Sequence, residues 1–460
     1  MIRNDLTPGP GMRNIRSVAD DLQSGYGRLF LGTTRRTDDF GVYYSPRSNH
    51  LNWLDKINGH DENWLRAVEQ LHRYPRYIAY AEVEMGYLRE TPPKVLFLPH
   101  VRSLSDREIN ELKDYVRAGG VLLAGTNPGL QNKHGILRKA WPLAEVFGLK
   151  RVPVLNTGTG KGKSVPVKIT EVIEKLDFRD LKMSINKDLV GSGVKPNGAR
   201  PLFLIGDKAA GFVNAYGKGL ALYLNLDAMD LKMAGLDPKK DPGALLRIIG
   251  ERLFAARNLR RGYEIRWAHG NPTFKVKRST FLQQGAVVAE FIDSQARYLV
   301  FLRQGKGELA KQPLEKATLT LDKPAHVYEP RSGRYAGYVK ELSLQFKRSV
   351  PHIVSLLPYA VKTVGIKVPG SAKPGANVTI VAAILAGKNT PAGRHVFALR
   401  VYQPDGTEAR WFRKNYDTPH GRLKTTIQMA LNAAPGKWSV TVRDVATGIQ
   451  GKVEFQMQEK

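Results

Sequence analysis

Residues 103–129 read SLSDREINELKDYVRAGGVLLAGTNPG, and this stretch decides the fold of the first half of the chain. Ser105 followed three residues later by Glu108 is a capping box, which satisfies two of the otherwise unpaired N–H groups at a helix start. Ile109, Leu112, Tyr115 and Val116 then recur at helical spacing and form one apolar stripe. Gly119-Gly120 supplies residues able to take positive φ where the helix must stop. Val121-Leu122-Leu123-Ala124 follows as an apolar run of strand length. Upstream, Lys94-Val95-Leu96-Phe97-Leu98-Pro99 is a second such run, so strand, helix and strand succeed one another as a βαβ unit with a parallel sheet and a right-handed crossover.

Outward from this unit, Phe40-Gly41-Val42-Tyr43-Tyr44 reads as another buried strand, ended by Ser45-Pro46. Residues 60–77 carry Trp64, Leu65, Val68, Leu71 and His72 at the spacing of an amphipathic helix. The sheet is expected to resume at 201–205 and 219–227, with a helix from Pro242 to Asn258 closing the domain. Residues 168–197 fit no element. From about Tyr263 no long helix follows, and short strands recur between Gly, Pro and Asp turns: 286–292, 297–302, 317–321 and 325–329, the last before Pro330-Arg331-Ser332-Gly333. Alternating strands fill the last hundred residues, as in an immunoglobulin-like sandwich, with Trp438 after the Pro435-Gly436 turn as a core residue.

The expected fold is a flavodoxin-like (amidotransferase-like) α/β parallel-sheet domain followed by two all-β domains, the last an immunoglobulin-like sandwich. Residues 1–25 are a remnant of an upstream domain or disordered; 26–262 form the α/β domain, 263–357 a small β domain and 358–460 the sandwich. A length of 460 residues suits several domains, each able to bury its own core. Apolar content of 42% and charged content of 25% are those of an ordinary globular chain. No apolar window reaches the roughly eighteen residues of a membrane-spanning helix, and the N-terminus has no apolar signal-peptide core. Compartment is left open.

Chemistry is harder to find. With no cysteine, disulfides, thiolate metal sites and a cysteine nucleophile are excluded together. Gly158–Ser164, GTGKGKS, imitates a phosphate-binding loop, but Thr157 stands where its first glycine belongs, and Val165–Ile169 reads as a strand rather than a helix. His50, His60, His72, His100 and His134 have no metal-ligand spacing, and no Gly-x-Ser-x-Gly elbow occurs. No metal or cofactor is expected. Among carboxylates, Asp227 and Asp230 follow an expected strand, while Asn110-Glu111 lies on what reads as a surface helix position. His100, Thr126 and Asn127 follow the C-terminal ends of two expected parallel strands, where open α/β sheets bind ligands. With Asp227 they are the candidate ligand-binding residues; loop and capping roles are the competing account.

Net charge is +29, divided as about +4 over residues 1–150, +8 over the next 110 and +17 over the last 200. Such a field attracts polyanions, acidic glycans or nucleic acid among them, although solvent-facing strand positions would also carry spaced lysines and arginines.

Taken together, GVYYSPRS, VLFLPHVRSLSDREINELKDYVRAGGVLLAG, the segment His134–Leu149 and YGKGLALYLNLD (Tyr216–Asp227) resemble the trimerisation domain of glycoside hydrolase family 42 β-galactosidases. HVYEPRSGRYAGY and HIVSLLPYAV look like the small β domain that follows it, and the last hundred residues like a macroglobulin-type module. The resemblance implies a homo-oligomer, trimeric as in the family, working in carbohydrate metabolism. It also implies that catalytic glutamates sit on a (β/α)8 barrel; only about 25 residues precede Gly25-Tyr26-Gly27-Arg28, so no residue here inherits those roles. The glutamine amidotransferase analogy lacks its cysteine. The expectation is a non-catalytic accessory or oligomerisation protein. A glycosidase completed by a separate catalytic barrel partner, an enzyme using the pocket at His100, and a binder of carbohydrate or an acidic polymer are the alternatives.

Overall fold

A computed structural model of the chain describes residues 16, 18–54, 74–126, 128–151, 164–170, 176–179, 184–226, 242–259, 262–267, 286–303, 315–346, 350–387 and 392–459. The structure is mostly β, with several sheets. Its largest sheet has nine strands: β1 (Phe40–Tyr44), β2 (Arg76–Ala79), β3 (Val95–Leu98), β4 (Val121–Ala124), β5 (Ser164–Ile169), β6 (Ser184–Asn186), β7 (Arg200–Ile205), β8 (Lys208–Tyr216) and β9 (Gly219–Leu224), in the order β2-β1-β3-β4-β9-β8-β7-β5-β6.

The five strands from β2 to β9 run parallel. Every residue of β3, β4 and β9 is buried, as expected where a sheet is covered on both faces. One cover is the helix Asp106–Arg117, with Ile109, Leu112, Tyr115 and Val116 all packed inward. The Tyr115 hydroxyl lies between the carbonyls of Pro93 at 2.9 Å and Val121 at 3.1 Å, tying helix to sheet. The other cover is the helix Pro242–Ala256, whose Phe254 ring sits 4.7 Å from that of Phe40.

Past β9 the pattern departs from the expected parallel sheet. β8, β7, β5 and β6 follow, each antiparallel to its neighbour. Short turns such as Asp207 and Tyr216–Gly219 leave no length for a crossover helix, so reversal of direction is forced. Residues 60–77 also need correction: Trp64, Leu65, Val68, Leu71 and His72 lie outside the described residues, but Arg76 and Tyr77 are strand, not helix.

The second sheet has seven strands and includes Tyr263–Trp267, Ala286–Ile292, Arg297–Arg303 and His352–Leu357. The two expected strands 317–321 and 325–329 are one continuous strand, Glu315–Glu329, with a register shift between Thr320 and Ala325. Beyond it, a sheet of three strands packs against a sheet of five as a β-sandwich, with Trp438 at 2% exposure in their shared core.

Residues 22–36 make their contacts with the second sheet and the sandwich. Leu29 and Tyr26 are buried in the sandwich core, and Thr34–Arg36 pairs antiparallel with Ala286–Ile292. Arg394 donates to the carbonyls of Arg28 and Leu29 at 3.1 and 3.2 Å while also pairing with Asp417. Phe30 finds its aromatic partners, Phe291 and Tyr298, some 260 residues away.

A tight backbone approach joins helix to sheet at Gly219. A Cβ there would lie 2.0 Å from the Val116 carbonyl oxygen and 2.4 Å from that of Gly120. Gly219→Ala is expected to cost about 1–3 kcal/mol, read as a lowered urea midpoint, whereas Gly370→Ala, with no neighbour within 4 Å, leaves the midpoint unchanged.

Candidate functional site

Because β1, β3 and β4 are parallel, the residues after their C-terminal ends gather along one edge of the sheet. His100 and Thr126 are both there and both buried, at 2% and 1% exposure. His100 has φ +47°, a left-handed conformation that non-glycine residues rarely adopt, and its carbonyl accepts from the Arg102 N–H at 3.1 Å. Among the described residues the Thr126 Oγ1 has no hydrogen-bond partner. Asn127 and Asp227 lie outside the described residues, so two of the four sequence-predicted residues come together here.

The same edge holds a buried polar network that the sequence did not announce. Glu108, fully buried, is its centre. One carboxylate oxygen accepts from the Tyr43 hydroxyl at the end of β1; the other accepts from the Ser105 N–H at 2.6 Å and faces Arg47 at 3.1 Å. Ser105 in turn donates its hydroxyl to Glu84 at 2.6 Å, and the Arg47 guanidinium lies 4.4 Å from the centre of the Tyr80 ring. Burial, and then the negative charge of Glu108, push the Tyr43 hydroxyl well above its ordinary pKa, so it stays a proton donor. Beside this, Arg102 donates to Gln131 at 2.6 Å and to Asn52 at 3.4 Å, and the Ser103 N–H donates to Ser48 at 3.1 Å.

Glu111, read as a surface position, is also buried and pairs with Arg89 at 2.9 Å. The correction has a simple cause. The short helices Tyr80–Glu84 and Tyr87–Glu90 lie against the helix Asp106–Arg117 and cover the face that would otherwise meet solvent. Chemically, the edge is a closed set of charge-assisted hydrogen bonds in which each Glu108 oxygen is already engaged. What the sequence could have shown is Glu108 itself: a capping-box carboxylate four residues before Leu112 shares a face with the buried stripe.

Cavities of about 350 and 360 Å³ lie elsewhere, between residues 16–26 and the sandwich. Among the described residues no group of three or more His, Asp or Glu is placed to hold a metal, and no helix is long and apolar enough to cross a membrane.

No protein-family model matches the chain, and no curated protein matches it. Solved structures do. A catalytic mutant of a glycoside hydrolase family 42 β-galactosidase from G. stearothermophilus superposes with a TM-score of 0.54 at 15% identity, over 77% of this chain and 45% of that one. The β-galactosidase from Bacillus circulans sp. alkalophilus gives 0.53 at 13% identity, over 77% and 46%. What is shared is the fold. This chain spans less than half the length of either enzyme.

Tyr43→Phe removes the donor to a buried carboxylate oxygen and is expected to cost about 1–3 kcal/mol, read from urea unfolding at pH 7. A second expectation concerns acid. Burial alone would raise the Glu82 carboxyl, but hydrogen bonds from the Ala79 N–H and from Arg76, both 2.8 Å, outweigh it and hold the group below its ordinary value. A depressed carboxyl stabilises the fold above its unfolded pKa, about 4.3 for glutamate, and that contribution fades as pH falls through the folded value. Glu82→Gln should therefore lower the urea midpoint at pH 7, with the gap to wild type closing as the pH drops below about 4.

Proposed function

We propose that this chain is the non-catalytic, assembly-forming part of a β-galactosidase-like glycoside hydrolase system. The observation that carries the reading is the fold likeness over 77% of the chain to two family 42 β-galactosidases of which it spans under half. In this reading residues 38–262 are a flavodoxin-like, amidotransferase-type α/β domain corresponding to the family's trimerisation domain, and 358–460 an immunoglobulin-like sandwich. Residues 20–36 go with the β modules rather than with the α/β domain. The glycosidic bond is cleaved by a barrel outside these 460 residues, whose own task is to hold subunits together.

Two features support a structural role for the sheet edge. Glu108, fully buried, is already engaged by Tyr43, Ser105 and Arg47. The amidotransferase fold's nucleophile is a thiol, and the chain contains no cysteine. His100 and Thr126 then serve as strand-end anchors.

Light scattering at micromolar concentration is expected to return three times the chain mass. A monomer mass that persists at high concentration overturns the assembly claim, and turnover of an aryl galactoside by the purified chain overturns the non-catalytic one.

A further inference from the structure

The outer face of the five-stranded sandwich sheet carries a groove whose charge the fold does not balance. Ala398, Arg400 and Tyr402 alternate along one strand, and Arg400 sits opposite Thr441 with Arg443 opposite Ala398 on the next. Residues 20–26 run across this face: Arg443 donates to the Ser24 carbonyl at 3.0 Å, and Asn415 to that of Gln23 at 2.7 Å. The two cavities named above flank this crossing, and both are lined by Ser24 and Arg400.

Six arginines line the pair of cavities: Arg16, Arg331, Arg400, Arg410, Arg413 and Arg443. Three carboxylates answer them. Asp21 is taken bidentately by Arg331, Glu408 by Arg413, and Asp20 faces Arg16 at 3.9 Å. Arg410 and Arg443 have no carboxylate partner among the described residues. Burial, and after it the charge of Arg413, hold Arg400 below its ordinary pKa, so an incoming anion would relieve like-charge repulsion. Apart from Ala398, the rest of the lining bears hydroxyls and amides: Gln23, Ser24, Tyr26, Tyr402, Thr441 and Gln450. Trp411 stands on the turn Arg410–Phe412, 65% exposed, between two arginines that line the cavity.

We propose that this pair of cavities binds an anionic saccharide, with Arg443 in one and Arg410 in the other each receiving a carboxylate or sulfate and Trp411 stacking on a neighbouring pyranose ring. Each volume is at the lower end of small-ligand pockets, about 300–1,000 Å³, which suits one or two sugar rings. Carboxylates interleaved among the arginines favour a hydroxylated ligand, for which Asp20 and Asp21 are acceptors, over the continuous phosphate run of nucleic acid, which they would repel. Guanidinium forks match both carboxylate and sulfate oxygens. The site is separate from the sheet edge and independent of whether the chain trimerises.

The test is calorimetric titration of the full chain with a uronic-acid tetrasaccharide, a sulfated galactan tetrasaccharide, a neutral galactotetraose and a single-stranded DNA octamer, at 50 and 200 mM salt. Binding of at least one acidic saccharide, tenfold or more tighter than galactotetraose and DNA, is expected, and the stronger of the two identifies the anion. Arg410→Ala and Trp411→Ala, both at exposed positions, should each weaken it by tenfold or more, with Arg410→Lys between. Equal affinity for DNA and the acidic saccharides, affinity indifferent to both substitutions, or no binding overturns the proposal. Because the readout is affinity per chain, a monomeric protein passes or fails it on the same terms as a trimer.

Discussion

A single buried carboxylate holds the α/β half in register. Glu108 begins as a local device, closing the capping box with Ser105, yet its oxygens also take the Tyr43 hydroxyl from the end of β1 and the Arg47 guanidinium from the following helix. Three separate elements thus meet at one buried carboxylate. A carboxylate so placed is stable only while every partner stays, because removing one leaves a charge buried without compensation. The end of β1 and the start of the helix Asp106–Arg117 are held together by that requirement.

A second constraint links the ends of the chain. Residues 22–36 leave the sandwich, give one strand to the seven-stranded sheet and only then enter the nine-stranded one at Phe40. The β modules are therefore closed by a piece of sequence from the far side of the α/β domain. Arg394, which holds both Asp417 and two carbonyls of this segment, is the clasp. The route also creates the arginine-lined groove, since Arg400 and Arg443 belong to the sandwich and Asp20 and Asp21 to the crossing segment. Excess charge that looks diffuse along the sequence is concentrated by that closure.

Much of this was legible beforehand, and the reasons are local. The capping box, the Ile109-Leu112-Tyr115-Val116 stripe, the paired glycines and the flanking strands are set by contacts within a few residues, and each stands where periodicity puts it. Trp438 is core because strand alternation points it inward. What failed depended on partners remote in sequence: the antiparallel turn of the sheet after β9 and the burial of Glu111 under Arg89. Of the site residues, His100 and Thr126 could be placed by the strand-end rule, but nothing near Tyr43, Arg47 or Arg102 signals that they converge.

The sequence alone determined that the chain opens its main domain with βαβ connectivity, continues in all-β modules, lacks a thiol and carries a large positive excess. Those properties depend on composition and on spacing shorter than one element. Only the tertiary structure decided that the N-terminal segment packs on the C-terminal sheets, that Tyr43, Ser105 and Arg47 converge on one carboxylate, and that six arginines line two neighbouring cavities. Each of those is a contact between residues far apart along the chain, where no periodicity in the sequence carries the information.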